Sequence, residues 1–168
     1  MTISMYAASV PLLQRQLGAL SNCLGKAEQH CEAKKIDPQA LLQARLYPDM
    51  FHLTRQVQVA ADMAKTCVAR LAGAEPPKYE DNEASFADLR GRIGRTLDYV
   101  KGVSPAQIDG SEERKITLPM RTSTMEFKGV DFLRGFILPN FYFHATTAYA
   151  ILRHNGVELG KRDFLGAA

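Results

Sequence analysis

Apolar residues recur at intervals of three and four along most of the chain, the spacing that lines one face of an α-helix. The first such run covers residues 6–34. Its stripe of apolar residues, which we call the seam of the helix, is Tyr6, Val10, Leu13, Leu17, Leu20, Leu24, Ala27 and Cys31. Lys34 and Lys35 end it, where positive charge favours a helix C-terminus. Asp37 and Pro38 then suit the cap and first position of a short helical turn. We therefore predict a long first helix and a single turn after it.

Two further seams predict two further helices. The second helix is predicted over residues 50–71 and is followed by Gly73; its seam is Met50, Leu53, Val57, Ala60, Ala64, Cys67 and Leu71. The third is predicted over residues 86–100, capped by Ser85 or Asn82; its seam is Phe86, Leu89, Ile93, Leu97 and Val100. The proline-rich stretch between them reads as a loop.

The helical spacing of apolar residues stops before the last predicted helix. Residues 115–118 and 125–128 read as two short strands around a turn at 119–124, which predicts a small β-hairpin. A fourth helix is predicted over residues 130–151, closed by Asn155 and Gly156; its seam is Val130, Leu133, Ile137, Asn140, His144, Thr147 and Ile151.

These patterns together predict an all-α fold, a four-helix bundle with a small β-hairpin between helices three and four. A chain of 168 residues fits one domain, so we assign residues 1–168 to it. The tail from residue 157 carries Leu159, Phe164 and Leu165, which can dock on the bundle or on a second subunit.

Composition narrows the class of protein. The chain is 46% hydrophobic and 23% charged, as in a globular domain. Its net charge is +3, and its basic residues are scattered along the sequence. A nucleic-acid surface concentrates its charge, so we expect no nucleic-acid partner. The three cysteines cannot all pair and form no CxxC, which favours reduced core thiols and a cytoplasmic protein.

We also expect no membrane segment. The N-terminus lacks the basic and apolar regions of a secretory signal. Residues 135–152 contain no Asp, Glu, Lys or Arg, but they include Pro139, Asn140 and His144. Such residues together suit a helix buried inside protein better than one facing lipid.

Asn140, His144 and Thr147 interrupt the fourth seam where aliphatic residues are expected. Burying an amide and an imidazole without partners costs several kcal/mol, in order of magnitude. The interruption therefore predicts a polar network, a water-filled cavity or a bound ligand. His52, on the flank of the second helix's apolar stripe, is the natural partner.

The chain resembles the DinB/YfiT-like bundle superfamily, and within it a branch described only as a domain of unknown function. The resemblance covers nearly the whole chain and rests on His52, on the run from Asn140 to His144, and on Leu152-Arg153 and Gly156 after it. It implies that His52, Asn140 and His144 stand where metal-binding members have three histidines, and that a divalent metal such as Zn, Ni or Mn binds there. Asn140 departs from the HxxxH pattern, and its amide oxygen is a weaker donor than imidazole nitrogen.

Two functions stay open at this point. The resemblance implies a metal-dependent transferase or hydrolase, with a homodimer as the expected assembly. The alternative is a non-catalytic bundle that binds a small apolar ligand or a protein partner and has lost the metal site. No GxSxG elbow or phosphate-binding glycine motif identifies a catalytic residue, so whether the protein is an enzyme stays undecided.

Overall fold

The computed structural model describes residues 3–119 and 122–166. They form a mostly helical protein with one two-stranded antiparallel hairpin, as the sequence pattern predicts. The elements are α1 (Val10–Lys34), α2 (Pro38–Leu42), α3 (Leu53–Leu71), α4 (Phe86–Lys101), α5 (Pro105–Ile108), β1 (Lys115–Pro119), β2 (Thr124–Lys128), α6 (Gly129–Asp131), a π-helical segment (Phe132–Ile137), α7 (Leu138–His154) and α8 (Lys161–Leu165).

The core lies between the apolar faces of the four longest helices. α3 packs against α4 and α7, and α1 packs against the same two helices from the other side. Leu17, Val57, Ile93 and Phe141, one from each helix, are fully buried in this core. Four helices of the described residues, α1, α3, α4 and α7, are long, and α2, α5, α6 and α8 are short helical segments.

Two helices begin later than predicted. Residues 5–9 form turns, so α1 starts at Val10 rather than at residue 6. Before α3 the chain forms a loop that Arg45 stabilises. The Arg45 Nη1 donates to the carbonyl oxygens of Pro48 and Met50, each at 3.2 Å. Met50 consequently lies in this loop, residues 43–52, and α3 starts at Leu53.

The fourth predicted helix is one continuous helical run that includes a π-helical segment, which the apolar spacing does not reveal. Pro139 lies at the start of α7, where it cannot donate the backbone hydrogen bond that an α-helix requires. The wider π-turns come directly before it, at Phe132–Ile137. Within residues 3–119 and 122–166, no helix combines the length and the hydropathy that a membrane span requires.

The hairpin lies against this π-helical segment. β1 and β2 pair in antiparallel register, with Ile116 opposite Phe127. The Phe127 ring packs on Phe132 and Phe136, with ring centroids 5.9 and 5.4 Å away. The predicted turn at 119–124 includes residues 120 and 121, which lie outside the described residues.

Gly129 closes the junction between the hairpin and the last helical run. A Cβ atom on this residue would lie 2.0 Å from the Ser111 carbonyl oxygen, so only glycine lets the two backbones approach so closely. Next to it, the backbone N–H of Val130 donates to the Glu112 carbonyl oxygen at 3.0 Å.

A buried arginine fastens the connection between α3 and α4. Arg92 of α4 is fully buried, and its guanidinium lies within 3.0 Å of the carboxylates of Asp62, Asp81 and Glu83. The Tyr79 ring lies 5.6 Å from the same guanidinium. Because Asp81, Glu83 and Tyr79 all belong to the irregular connection, these contacts hold it against the helices.

The C-terminal tail docks on the protein itself, one of the two places that the sequence left open. Gln16 donates to the Phe164 carbonyl oxygen at 2.8 Å, and Lys26 pairs with Asp163 at 2.6 Å. The Phe164 ring also meets Tyr149 edge to face. These contacts seat α8 against α1 and α7.

The three cysteines are free and buried, in agreement with the prediction of core thiols. Burial raises the pKa of Cys23 to about 11, with a smaller contribution from Asp163. Burial also raises the pKa of Cys67. Both thiols are therefore protonated at neutral pH, which makes them poor nucleophiles.

Candidate functional site

His52 caps the N-terminus of α3. Its Nδ1 accepts a hydrogen bond from the Arg55 backbone N–H at 3.3 Å, as a capping side chain does for an unpaired N–H of the first turn. Partial burial lowers the pKa of His52, and the positive charges of Arg45 and Arg55 lower it further. The backbone oxygen of Leu42 acts in the opposite direction. This histidine therefore supports the start of a helix in its neutral form.

The Asn140 side chain also makes a hydrogen bond to the backbone. Its Nδ2 donates to the Phe136 carbonyl oxygen at 2.6 Å, across the junction between the π-helical segment and α7. Asparagine side chains often bond in this way to a backbone carbonyl of the preceding turn. The Nδ2 donor of Asn140 is thus used within its own helix.

His144 is joined to a residue that the sequence analysis did not single out. Its Nδ1 lies 2.7 Å from Oε1 of Gln56, which is almost fully buried on α3. The Gln56 Nε2 donates to the Phe51 carbonyl oxygen at 3.0 Å, so its Oε1 is the atom that faces the imidazole. An amide oxygen only accepts, so Nδ1 of His144 carries the proton.

The free nitrogen of His144 is consequently an acceptor. Burial lowers the pKa of His144, and the positive charge of Arg55 adds to this effect, so the ring is neutral at pH 7. With the proton on Nδ1, the lone pair lies on Nε2. Among residues 3–119 and 122–166, no group makes a hydrogen bond to that nitrogen.

His144 lines a cavity of about 220 Å³ between the loop at residues 43–52 and α7. The Phe51 ring lies nearly parallel to the imidazole at a centroid distance of 6.4 Å, and the Phe143 ring lies perpendicular to it at 5.2 Å. Gln56 and Asp49 also line this cavity. The imidazole is therefore held between two aromatic walls.

A second cavity, a shallow depression of about 520 Å³ that is open to solvent, continues along α7. It shares Met50 and Phe143 with the first, and its other walls are mostly apolar: Leu46, Pro139, Tyr142 and Ala150, with Thr146 and Thr147. We call the two cavities together the α7 groove. Leu46 is 42% exposed and Phe143 is 56% exposed, so apolar surface faces the solvent here.

Among the described residues, His52, Asn140 and His144 make no hydrogen bond to one another. Each has its own hydrogen-bond partner, and only His144 lines the α7 groove. In the described part of the chain, no group of three or more His, Cys, Asp and Glu side chains is placed to hold a metal ion. Arg55, whose charge lowers the pKa of both imidazoles, also repels a cation.

The sequence did carry a signal for Gln56. Gln56 is adjacent to Val57 in the second seam, and a buried glutamine beside a seam requires a partner as His144 does. Asking which polar side chains of facing helices satisfy each other would have made Gln56 one candidate partner of His144.

Comparison with known proteins covers nearly the whole chain. Residues 5–165 match the sequence profile of a domain of unknown function, DUF1993. A solved structure of a DinB family member protein from Shewanella denitrificans is 44% identical, with a TM-score of 0.91 over 97% of this chain and 92% of that one. Among curated proteins, none matches.

Proposed function

Because the chain belongs to the DUF1993 family, whose function is unknown, we propose that its four-helix bundle binds a small, largely apolar molecule in the α7 groove. The carrying observation is the free Nε2 of His144 at one end of that groove. An apolar cleft with few polar groups to fix orientation is typical of small-molecule sites. The proposal assigns no catalytic residue.

The proposal is supported by the hydrogen bonds that fix the orientation of the His144 imidazole at the polar end of the groove. Gln56 fixes the imidazole through Nδ1 and is itself fixed by the Phe51 carbonyl oxygen. A ligand group that reaches Nε2 therefore meets an acceptor whose direction is set before binding, which lowers the cost of ordering it. The rest of a ligand would lie along Met50, Tyr142 and Phe143.

A fragment screen by two-dimensional NMR tests this proposal. We expect small aromatic compounds to shift the backbone amides at residues 46–51 and 142–147 selectively. Phe143→Ser should weaken the binding about tenfold, because it removes an aromatic wall. Leu165→Ser, which changes another exposed apolar residue, on α8, is the control and should leave it unchanged. If no compound shifts these amides, the proposal is wrong.

The metal site stays a competing prediction. A divalent metal at His52, Asn140 and His144, serving a transferase or hydrolase, is supported by the availability of Nε2 on His144. Metal analysis of untagged protein after incubation with Zn²⁺, Ni²⁺ and Mn²⁺ separates it from the first proposal. Stoichiometric metal would favour it. Asn140→His, which completes an i, i+4 pair of imidazoles, is the positive control and should raise metal affinity.

The predicted homodimer is a separate proposal. Tyr47 and Phe51 are 65% and 51% exposed, and with Leu46 and Phe143 they give this face of the protein an apolar character. A second copy of the chain would cover it. Sedimentation at micromolar concentration tests this, and a monomeric mass there would count against it.

A further inference from the structure

A third cavity, of about 540 Å³ and open to solvent, lies between the C-terminal end of α3 and the β-hairpin. Of the described residues that line it, the charged ones are Arg70, Glu75, Arg114 and Lys115. Three cations therefore stand against one carboxylate. This excess of positive charge favours an anion as the occupant. None of these lining residues belongs to the α7 groove, so the two places are separate.

Arg114 is held beside this cavity by the end of α3. Its Nη1 donates to the carbonyl oxygen of Leu71, one of the last oxygens of the helix, which have no partner within it. The guanidinium lies against Gly73, where φ is +77° and a Cβ atom would lie 2.9 Å from Nη1. The missing side chain at Gly73 thus makes the room that this guanidinium occupies. Its other N–H groups make no hydrogen bond within the described part of the chain.

Arg70, in the last turn of α3, brings a second guanidinium to the same cavity. Its side chain is 18% exposed, and its Nη1 pairs with Oε1 of Glu75. The Glu75 side chain is 80% exposed, and a pair with so exposed a partner is screened and weak. The buried Nε of Arg70 has no hydrogen-bond partner among the described residues. This guanidinium is therefore fixed at one nitrogen and unsatisfied at others.

We propose that this cavity, which we call the α3–hairpin site, binds a dianionic oxyanion, such as the phosphate group of a small molecule. A guanidinium presents its N–H groups as a planar fork that matches the oxygens of a phosphate. Arg70 and Arg114 are each held at Nη1 before an anion arrives, which lowers the cost of ordering them. Lys115 adds a third positive charge, and the hydroxyl groups of Thr117 and Thr124 add donors.

Glu75 gives the proposal its sharpest consequence. In the unliganded protein its carboxylate occupies Nη1 of Arg70, so it competes with an incoming anion and repels it. Removing that carboxylate should strengthen anion binding. If the arginines served only to stabilise the end of α3, the same change would strengthen nothing.

An NMR titration of the full chain with sodium phosphate, at about pH 7.5 and low salt, tests the site. We expect phosphate to shift the backbone amides at residues 70–75 and 114–117 with a dissociation constant on the order of 1 mM. Acetate at equal ionic strength carries one charge and should bind about fivefold more weakly. Residues 46–51 and 142–147, which report on the α7 groove, should not respond to either anion.

Two variants at the site and two controls complete the test. Arg70→Gln should weaken phosphate binding about fivefold, and Glu75→Gln should strengthen it about threefold. Arg90→Gln and Glu28→Gln, which remove the same charges from a partly exposed pair outside the cavity, should leave it unchanged. The proposal is wrong if phosphate shifts none of the site amides up to about 20 mM. It is also wrong if acetate binds as tightly, or if the site variants behave as the controls do.

Discussion

Arg92 and Glu83 form an ion pair inside the protein, with Nη1 3.0 Å from Oε1 and side-chain exposures of 0% and 1%. One partner lies on α4 and the other lies in the irregular connection that precedes it. Gln58 of α3 donates to the other oxygen of the same carboxylate at 2.9 Å. The pair therefore ties that connection to both helices.

Removing the arginine should destabilise the protein strongly. Arg92→Met leaves the Glu83 carboxylate buried without its main counter-charge, and breaking a buried pair in this way costs about 3 to 5 kcal/mol. Urea denaturation measures the free energy of unfolding. Arg90→Met is the control: its pair with Glu28 is 3.4 Å long and partly exposed, so its loss should cost less than about 1 kcal/mol. Equal effects of the two variants would contradict a special role for Arg92.

Gly129→Ala should also destabilise the protein, by about 2 kcal/mol or more, because the new Cβ forces apart backbones that are in contact at Ser111. Gly94→Ala is the matched control inside α4, where a Cβ meets nothing within 4 Å. It should stabilise the protein by about 0.5 to 1 kcal/mol through helix propensity. Thermal or urea unfolding distinguishes the two, and a mild effect at Gly129 would show that the junction can relax.

His52 should make stability depend on pH in one direction. Its pKa in the folded protein is lowered, so the unfolded chain takes up the proton first. Stability should therefore fall as the pH drops below about 6.5, the ordinary value, and level off below the folded pKa.

His52→Asn should keep the cap and lose this dependence, whereas His52→Ala should lose about 1 kcal/mol relative to the unchanged protein above about pH 6.5, a difference that shrinks at lower pH as His52 is protonated. Unfolding free energies at several pH values from about 5 to 8 check both expectations, taken as differences from the unchanged protein. If the unfolding free energies of the wild-type protein and of His52→Asn changed in parallel with pH, the His52 imidazole would not contribute to the pH dependence of stability.

Gln56→Glu should raise the pKa of His144. In the unchanged protein burial and Arg55 hold that pKa below its ordinary value. A carboxylate in hydrogen-bond contact with Nδ1 favours the imidazolium and should raise the value by about 1 to 3. Gln29→Glu, at an exposed position of α1, is the control and should leave the His144 titration unchanged. NMR titration of the imidazole resonances measures both variants.

The spacing of apolar residues, and the Gly and Pro residues between the runs, were enough to predict the long helices and the hairpin. Burial of one face of a helix or strand imposes its repeat on the sequence. Helix starts were predicted less well, since Arg45 and the backbone of the 43–52 loop decide where α3 begins. His144 was correctly expected to need a polar partner. The partner is Gln56 rather than His52, and which polar residues of facing helices meet depends on rotation and tilt that periodicity does not define.

Arg92 shows the same limit more sharply. In the sequence it is one of several arginines with acidic neighbours, yet it is fully buried, whereas Arg95 of the same helix is exposed. The carboxylates that hold it come from α3 and from a loop whose path follows from no local pattern. A long-range charge cluster therefore leaves little trace in the spacing of residues.

The π-helical segment Phe132–Ile137 sets the direction of everything after it. Each residue of an α-helix advances the chain by about 100° around the axis. An extra residue in an unbroken α-helix would therefore rotate everything after it by about that angle, whereas a π-turn takes up one extra residue and keeps α7 facing Gln56. When related sequences are aligned, a one-residue gap between Gly129 and Leu138 is thus compatible with an ordinary α-helix that presents the same face of α7 inward.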